Sequence, residues 1–285
     1  MENLFLANLG KNGHVDTLEI AREFYALFWR TCLENNSPDD FKGKNGCKFT
    51  GETIISFNTV NGCMIRLLPE YENGTEAVPD PTKQYERLKV IKNSNNVSKD
   101  IKDGFNEFFV IYHSLANLMP LGNGLNVPRS KINRDFPDSF LKAIKCDCYR
   151  RPKNTIDTDS IYKFKKWKEY FEKFKTWNEY VEMNYLQPFF EDNAGTAYSM
   201  FVQLAPSNDM CMPWDGKCAK CMSVTDKIHA KAYIKWFLYK AINIIKNRAA
   251  LLNNRLQELE KSNIDDTLKF KKILKCHLKN IAHRN

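Results

Sequence analysis

The chain has no long apolar run. No stretch of its 285 residues approaches the roughly 18 to 20 consecutive apolar residues that a membrane-spanning helix needs. The first residues, MENLFLANLGKNG, have acidic Glu2 where a signal peptide is basic, and their apolar stretch is too short for a signal peptide. We therefore expect a cytoplasmic protein that is not exported and has no membrane partner.

The common motifs of nucleotide and ester chemistry are also missing. The sequence contains no G-x-x-x-x-G-K-[ST] loop, no G-x-G-x-x-G turn after a strand and no G-x-S-x-G elbow. It has no internal repeat and no low-complexity segment. Strand-like and helical segments do not alternate along the chain, which argues against a doubly wound parallel sheet.

Cysteine is abundant, but its pattern does not indicate a disulfide framework. Disulfide scaffolds belong to short secreted chains, whereas this chain is long, has nine cysteines and lacks an export signal. Because nine is an odd number, complete pairing within the chain is also excluded. We therefore expect reduced thiols.

One group of cysteines nevertheless has the spacing of a metal site. A CxxC pair lets two thiolates converge on one tetrahedral ion, and a structural zinc site needs four ligands. The second CxxC or HxxxH pair of common zinc sites is missing, so incidental cysteines without a cofactor stay an alternative. The predicted zinc ligands are Cys211, Cys218, Cys221 and His229, and Cys146 and Cys148 could replace Cys211 and His229.

The net charge of +9 is concentrated in two segments of the chain. Residues 142–175 carry 11 basic and 5 acidic residues, while residues 215–285 carry 16 and 6. The remaining segments are acidic, with a net charge of −2 for residues 1–141 and −5 for residues 176–214. Lysines clustered on helices attract polyanions and contact phosphates. The basic segments therefore predict nucleic acid or an acidic protein as a partner, with a solvated helix face as the alternative.

Helical periodicity predicts most of the secondary structure. Asp16 and Glu19 resemble a capping box at the start of a helix over residues 16–33. A long helix is predicted from Thr225 to Glu260, and because its length exceeds the usual globular helix we expect a bend or break around Asn253-Asn254. Further helices are predicted from Asp157 onward and over residues 81–92, 100–113, 137–148, 176–187 and 265–283.

The strand signals lie near the N-terminus. Residues 53–60 and 63–68 are rich in β-branched and apolar side chains, and Asn61-Gly62 between them is typical of a two-residue hairpin turn. Residues 113–136, rich in Gly, Asn and Pro, predict an ordered loop. The sequence thus predicts a predominantly helical α+β fold in which a small N-terminal antiparallel hairpin packs on a helical bundle. We expect one domain over residues 1–285, with a subdivision after residue 136 as the alternative.

Basic and aromatic residues alternate in the segment IYKFKKWKEYFEKFKTW, residues 161–177. Such alternation can stack bases and contact phosphates of single-stranded nucleic acid. On a helix, however, the aromatic side chains fall on one side, where they form core while lysine stems cover its edges. An interfacial membrane helix is a third interpretation. The candidate nucleic-acid contacts are Lys163, Lys165, Lys166, Trp167 and Lys168.

The segment YHSLANLMPLGNGLN, residues 112–126, is the candidate for catalytic chemistry. His113 beside a hydroxyl, with asparagines in a Gly-rich loop, could supply an acid or base together with hydrogen-bonding groups. The alternative is an ordered loop in which the asparagine side chains bind backbone. The candidate catalytic and positioning residues are His113, Asn117, Asn126 and Arg129.

The same segment carries a resemblance. The run HSLANLMPL, the downstream Leu125-Asn126 and Arg129, and the acidic start DFPDSFL resemble a pattern in an uncharacterised family of bacterial proteins. Two further segments fit that family, namely the early FYALFW helix and the sequence PWDG, which is followed by a helix bearing Ile244, Ile245 and Arg248. This chain departs from the pattern with Ala116 in place of a glycine and with cysteines after PWDG. The resemblance implies a shared fold but no activity, because none is established for the family.

Part of the segment is also similar to the Asn-Leu-hydrophobic-Leu stretch of HNH-type restriction nucleases. There the stretch follows an Asp-His pair that holds the metal, and this chain has no such pair, its only upstream candidate being His14. The sequence therefore favours a non-enzymatic binding protein whose basic helices engage nucleic acid or an acidic protein. An enzyme with a nuclease-like site in the 112–135 loop and an inhibitory or regulatory factor in bacterium–phage conflict are the alternatives.

Overall fold

A computed structural model describes residues 4–10, 15–33, 37–41, 49–55, 88–122, 141–142, 144–145, 149, 170–191, 198–204 and 224–283. Between residues 224 and 230 only the side chain of Ile228 is described. The labelled helices are α1 (Glu19–Phe28), α2 (Arg30–Leu33), α3 (Lys99–Tyr112), α4 (Trp177–Met183), α5 (Val224–Ser262) and α6 (Ile264–Ala282). The strands are β1 (Phe49–Thr53) and β2 (Leu118–Gly122). Short 3-10 turns lie at Leu4–Leu6, Val15–Thr17, Pro38–Phe41, Leu115–Asn117 and Gln187–Phe189.

Helix α5 is the central element of the fold. Its 39 residues span about 58 Å at 1.5 Å per residue, and it packs against α3, α6 and three of the 3-10 turns. The predicted break at Asn253-Asn254 is wrong, because the helix continues through both residues. Leu252 and Leu256 are buried on either side of them, so the apolar stripe that holds the helix against the core is not interrupted.

The structure divides the helix predicted over residues 16–33 into α1 and α2 at Trp29, and it does not show the predicted cap. The α-helix begins at Glu19 after Leu18, and Asp16 lies in the preceding 3-10 turn. Val15 is buried, and the Leu18 amide donates to its carbonyl oxygen at 3.3 Å. Val15 is thus buried in a 3-10 turn at the position where the capping-box pattern predicted the first α-helical turn.

The sheet pairs two segments far apart in the sequence. β1 and β2 are antiparallel, with Phe49 opposite Gly122 and Thr53 opposite Leu118. This confirms a predominantly helical α+β fold with a small antiparallel sheet near the N-terminus. The predicted hairpin at 53–68 lies outside the described residues beyond Ile55. Assigning residues 118–122 to a loop was wrong, because all five are buried and form a strand covered on both faces.

The core is rich in aromatic side chains. Around Phe24 of α1 the rings of Phe5, Phe28, Trp29 and Phe270 lie within 6.3 Å between centroids, so α6 and the first residues of the chain are joined through α1. Elsewhere in the core, the described aromatic residues of the 161–177 segment are likewise buried, which confirms core packing for Tyr170, Phe171, Phe174 and Trp177.

Gly51 in β1 is expected to be intolerant of any side chain. A Cβ atom there would lie 2.4 Å from both the Asp16 carbonyl oxygen and the Tyr25 hydroxyl. We expect Gly51→Ala to lower the free energy of unfolding by about 1–3 kcal/mol, as overpacked cores do. Tyr25→Phe removes the hydroxyl but leaves the ring carbon Cε2, which would lie 2.7 Å from the Cβ atom, so it should restore only a small part of that loss in the double variant. Urea denaturation measures all three.

Gly104 in α3 provides a matched control. A Cβ atom there has Leu238 Cδ1 as its nearest neighbour, at 3.3 Å, and alanine is favoured over glycine in a helix by about 0.5–1 kcal/mol. Gly104→Ala should therefore leave stability unchanged or raise it slightly. If Gly51→Ala unfolds at the same urea concentration as Gly104→Ala, the close contact at β1 is not present in solution.

Candidate functional site

The segment 113–122 runs through the core of the protein from the end of α3 to the end of β2. It contains the 3-10 turn Leu115–Asn117, and each of its residues is buried. Its two predicted catalytic residues, His113 and Asn117, are therefore placed away from the surface, and the partners of their polar atoms decide what they do.

His113 holds the N-terminal segment of the chain. Its Nδ1 lies 3.0 Å from the Gly10 carbonyl oxygen, and the Leu9 amide donates to the His113 carbonyl at 2.9 Å. Because a carbonyl oxygen only accepts, Nδ1 carries the proton. The ring also stacks on Tyr112, with 4.5 Å between centroids. This environment of backbone and an aromatic ring, with the side chain 4% exposed, favours a structural role for His113.

His113 is expected to make the fold less stable in mild acid. Burial holds its folded-state pKa below the ordinary 6.5, whereas the unfolded chain keeps the ordinary value. The unfolded state therefore takes up the proton first, so the contribution of this residue is intact above 6.5 and is lost progressively below it. The measurement is the change in Tm between about pH 7.5 and about pH 5.5.

The matched variant for this prediction is His113→Asn, which retains an N–H donor close to the Nδ1 position and cannot titrate. Its Tm should fall less than that of the native protein over the same pH interval. Equal losses in the two proteins would contradict the assignment of the acid sensitivity to His113.

Asn117 binds backbone at two places in the fold. Its Oδ1 accepts from the Ile55 amide at 2.9 Å, and its Nδ2 donates to the Ile55 carbonyl at 3.0 Å and to the Tyr112 carbonyl at 2.9 Å. The side chain thereby joins the end of α3 to the residue that follows β1 by two positions. Asn117 thus matches the alternative to a catalytic loop, in which asparagine side chains form the hydrogen bonds with backbone groups that secondary structure would otherwise provide.

Arg248 of α5 reaches the same segment from the other side. Its Nη1 donates to the Ala116 and Leu118 carbonyls at 2.6 and 2.9 Å, while Nε and Nη2 donate to the Tyr185 and Asn184 carbonyls at 3.1 and 3.2 Å. The side chain is completely buried. Burial lowers the pKa of Arg248 to about 9, so the guanidinium is still charged at neutral pH. Four carbonyl dipoles, in place of a carboxylate, thus compensate this buried charge.

A tryptophan completes this arrangement. Trp29, just after α1, donates from Nε1 to Asn184 Oδ1 at 3.1 Å, and its ring meets Tyr185 edge-on at 5.4 Å. Tyr185 adopts a left-handed backbone conformation, with φ of 55°. The early aromatic helix, the HSLANLMPL run and the helix bearing Arg248 therefore converge on one point, which we call the Arg248 clamp. The donors of Arg248 and the Asn184 amide are directed at backbone carbonyls, and the Trp29 indole is directed at the Asn184 side chain, which is the arrangement of a structural centre.

A second candidate site lies on the surface of α6. Lys272, Lys275 and Lys279 recur at helical spacing and are exposed, so they form one row along the helix, which we call the lysine stripe. His283 continues the row after the helix ends. Among the described residues, none of the three lysines has an ion-pair partner.

Lysines on neighbouring faces are neutralised. Lys269 pairs with Glu23 of α1 at 2.9 Å, and Lys271 pairs with Glu260 of α5. Likewise, two lysines of α5 face carboxylates of α3, with Lys235 paired to Asp100 and Lys246 paired to Glu107. The two carboxylates of α6 itself lie in its first turn, where Asp266 pairs with Arg30 at 2.6 Å. The excess positive charge of α6 is thus located on the lysine stripe.

No family model, curated protein or solved structure matches this chain. The candidate sites therefore rest on the geometry of the chain itself. Within the described residues, no helix is long and apolar enough to cross a membrane.

Several predicted site residues lie outside the described part of the chain. For catalysis these are Asn126 and Arg129, and for nucleic-acid binding they are Lys163, Lys165, Lys166, Trp167 and Lys168. Of the predicted zinc ligands, Cys211, Cys218 and Cys221 and the side chain of His229 are likewise outside it. In the described residues no group of three His, Cys, Asp or Glu side chains is placed to hold a metal ion. The zinc site and a catalytic role for the 112–135 loop stay predictions.

The described cysteines have contrasting environments. Cys32 of α2 is largely buried, and burial raises the pKa of its thiol to about 12, so it is an inert core residue. Cys276 of α6 is exposed and lies four residues after Lys272 and three before Lys279. It is therefore a natural reporter of contacts made by the lysine stripe.

Proposed function

We propose that this protein binds nucleic acid through the lysine stripe of α6, without catalysing a reaction on it. The observation that carries the proposal is the contrast between Lys272, Lys275 and Lys279, which have no ion-pair partner among the described residues, and Lys269 and Lys271, which are paired. An aligned row of unpaired ammonium groups favours a ligand that presents a row of negative charges.

The energetics of such a contact come from counterion release. Each phosphate that a lysine neutralises frees condensed counterions, and the affinity then falls with salt by about 0.9 logarithmic units per contact on duplex DNA. Three lysines thus predict a slope of about −2.7 in a plot of log affinity against log salt. Contacts from the 142–175 segment would make the slope steeper.

Binding can be measured by the fluorescence anisotropy of labelled DNA and RNA, single- and double-stranded, across a salt series. A slope of about −2.7 corresponds to roughly a 40-fold weakening between 50 and 200 mM salt. We expect two changes in the triple variant Lys272→Gln, Lys275→Gln, Lys279→Gln. The slope should become less negative by about 2.7, and the affinity at low salt should fall at least about tenfold.

A matched control removes the same charge elsewhere. Lys89, Lys92 and Lys99 are exposed and are not arranged as one row on a single helix. Their triple glutamine variant has the same net charge as the lysine-stripe variant and should keep most of the slope.

Two outcomes would contradict the proposal. One is no binding to any of the nucleic acids at low salt. The other is an equal loss in both triple variants, which would show that net charge alone drives association. An acidic protein partner would then be the remaining interpretation of the stripe.

A further inference from the structure

Resting on the proposed function, we infer that the ligand of the lysine stripe is double-stranded nucleic acid, contacted on its phosphates without reading the bases. The side chains that accompany the lysines on this face of α6 distinguish a duplex from a single strand. The relevant features are the kinds of side chain between them, the rigidity of the row and the chemistry of its cationic groups.

Among the described residues, α6 exposes no Phe, Tyr or Trp on which bases could stack. Proteins that bind single strands combine a basic groove with aromatic side chains, and each base–aromatic contact contributes about 1–3 kcal/mol. The one Phe, Tyr or Trp of α6 is Phe270, which is buried in the aromatic core with 1% exposure. The large apolar side chains exposed on α6 are aliphatic, Ile264 and Leu268. A single strand would therefore gain charge contacts here but no stacking.

The row is also rigid. It is part of a 19-residue helix whose opposite side is fixed by the buried residues Phe270 and Leu274, and His277 binds the Leu9 carbonyl at 2.8 Å. From Lys272 to Lys279 the axial distance is about 10 Å at 1.5 Å per residue. A duplex presents about six phosphate charges over that length on a stiff rod. A flexible strand must lose conformational freedom to align with the same row.

Lysine suits phosphate contact and is poor at base recognition. Its ammonium is a point charge without the planar fork with which arginine binds guanine, and α6 contains no arginine. Of the groups that could read a base edge, Asn280 is exposed and its amide points at the Cys276 thiol, 3.9 Å away. Contacts of this kind fix position on a duplex but carry no sequence information.

Anisotropy with about 20 base pairs of duplex DNA, and with each strand alone, tests the inference. The slope per contact is about 0.9 on a duplex and about 0.7 on a single strand, so three contacts give the duplex roughly a sixfold advantage at 50 mM salt if the two affinities are equal at 1 M salt. Two duplexes of unrelated sequence should bind within about twofold of each other.

Alkylation of Cys276, followed by peptide mass spectrometry, locates the bound ligand. Duplex should slow modification of Cys276 and leave the rate unchanged in the lysine-stripe variant. Cys276→Ser should bind duplex normally, since the thiol is a reporter. Duplex that binds without protecting Cys276 would overturn the inference, because the contact would then lie elsewhere.

The outcomes separate the two proposals. Single strands that bind as tightly as duplex, or one duplex sequence strongly preferred over another, would overturn this inference while leaving nucleic-acid binding intact. Binding of none of these nucleic acids would overturn both.

Discussion

Replacing Arg248 with methionine should lower the free energy of unfolding by about 3–5 kcal/mol, more than one unsatisfied buried polar group costs, because several carbonyl groups lose their donor together. The four carbonyl groups of Ala116, Leu118, Asn184 and Tyr185 would lose their Arg248 donor in the core of the protein. A buried polar group left without a partner costs about 1–3 kcal/mol. Methionine fills much of the volume of the arginine side chain and removes the cost of burying a charge. The total decrease in the free energy of unfolding is therefore smaller than the sum of four separate hydrogen-bond losses. Urea denaturation followed by tryptophan fluorescence measures it.

Two further substitutions isolate the cause of this loss. Arg248→Lys keeps the charge but replaces a planar fork by a single ammonium, which cannot reach all four carbonyls, so it should also be clearly destabilised. Arg30 of α2 is 49% exposed and pairs with the exposed Asp266 at 2.6 Å. Arg30→Met should therefore change stability by less than about 1 kcal/mol. A lysine variant as stable as the native protein would show that charge, and not the fork, holds the Arg248 clamp together.

The long helices follow directly from the sequence, and their exact course does not. An apolar stripe at helical spacing is local information, and it predicted α5 and α6 to within a few residues. The break at Asn253-Asn254 was predicted from the length and composition of the helix alone. What decides continuity is whether the stripe stays buried, and this depends on α1 and α3, which pack on the C-terminal helices from distant parts of the chain.

The sheet shows the limit of local signals more clearly. A hairpin can be predicted from a turn and its flanking residues, whereas β1 and β2 are separated by more than sixty residues and share no turn. The apolar run in β2 is short, interrupted by Pro120 and followed by Gly-rich sequence, which is why it was assigned to a loop. Its strand character comes from burial on both faces.

The segments that form the Arg248 clamp could be identified from the sequence, but their contacts could not. The resemblance singled out the segments containing Trp29, Ala116 and Arg248, and the structure brings those segments together. What each residue touches was not predictable, because the partners of Arg248 are backbone carbonyls and every residue type has one. The lysine stripe was hidden for the opposite reason. All lysines of the basic C-terminal segment look alike until tertiary contacts with Glu23 and Glu260 neutralise some of them.

Asn117→Ala should lower the free energy of unfolding by about 2–4 kcal/mol, because it leaves both backbone groups of Ile55 and the Tyr112 carbonyl without their side-chain partner. Asn117→Asp should be at least as damaging at neutral pH. A carboxylate oxygen in place of Nδ2 would face the Ile55 and Tyr112 carbonyl oxygens at about 3 Å, so two attractive contacts become repulsive. Acidification should then recover part of the loss in this variant, since a protonated carboxyl group can donate again.

The exposed Asn254 of α5 is the control for these variants, and Asn254→Ala should alter stability by no more than about 0.5 kcal/mol. Thermal unfolding of the three variants beside the native protein separates the two interpretations of the HSLANLMPL run. A backbone-binding Asn117 gives large losses in Asn117→Ala and Asn117→Asp and little change in Asn254→Ala. An Asn117→Ala variant with native stability would mean that the three hydrogen bonds contribute little to the fold, and it would return Asn117 to the candidates for positioning a ligand. The acid recovery of Asn117→Asp is the sharper result, because it requires an oxygen acceptor opposite the side chain and depends on no assumption about activity.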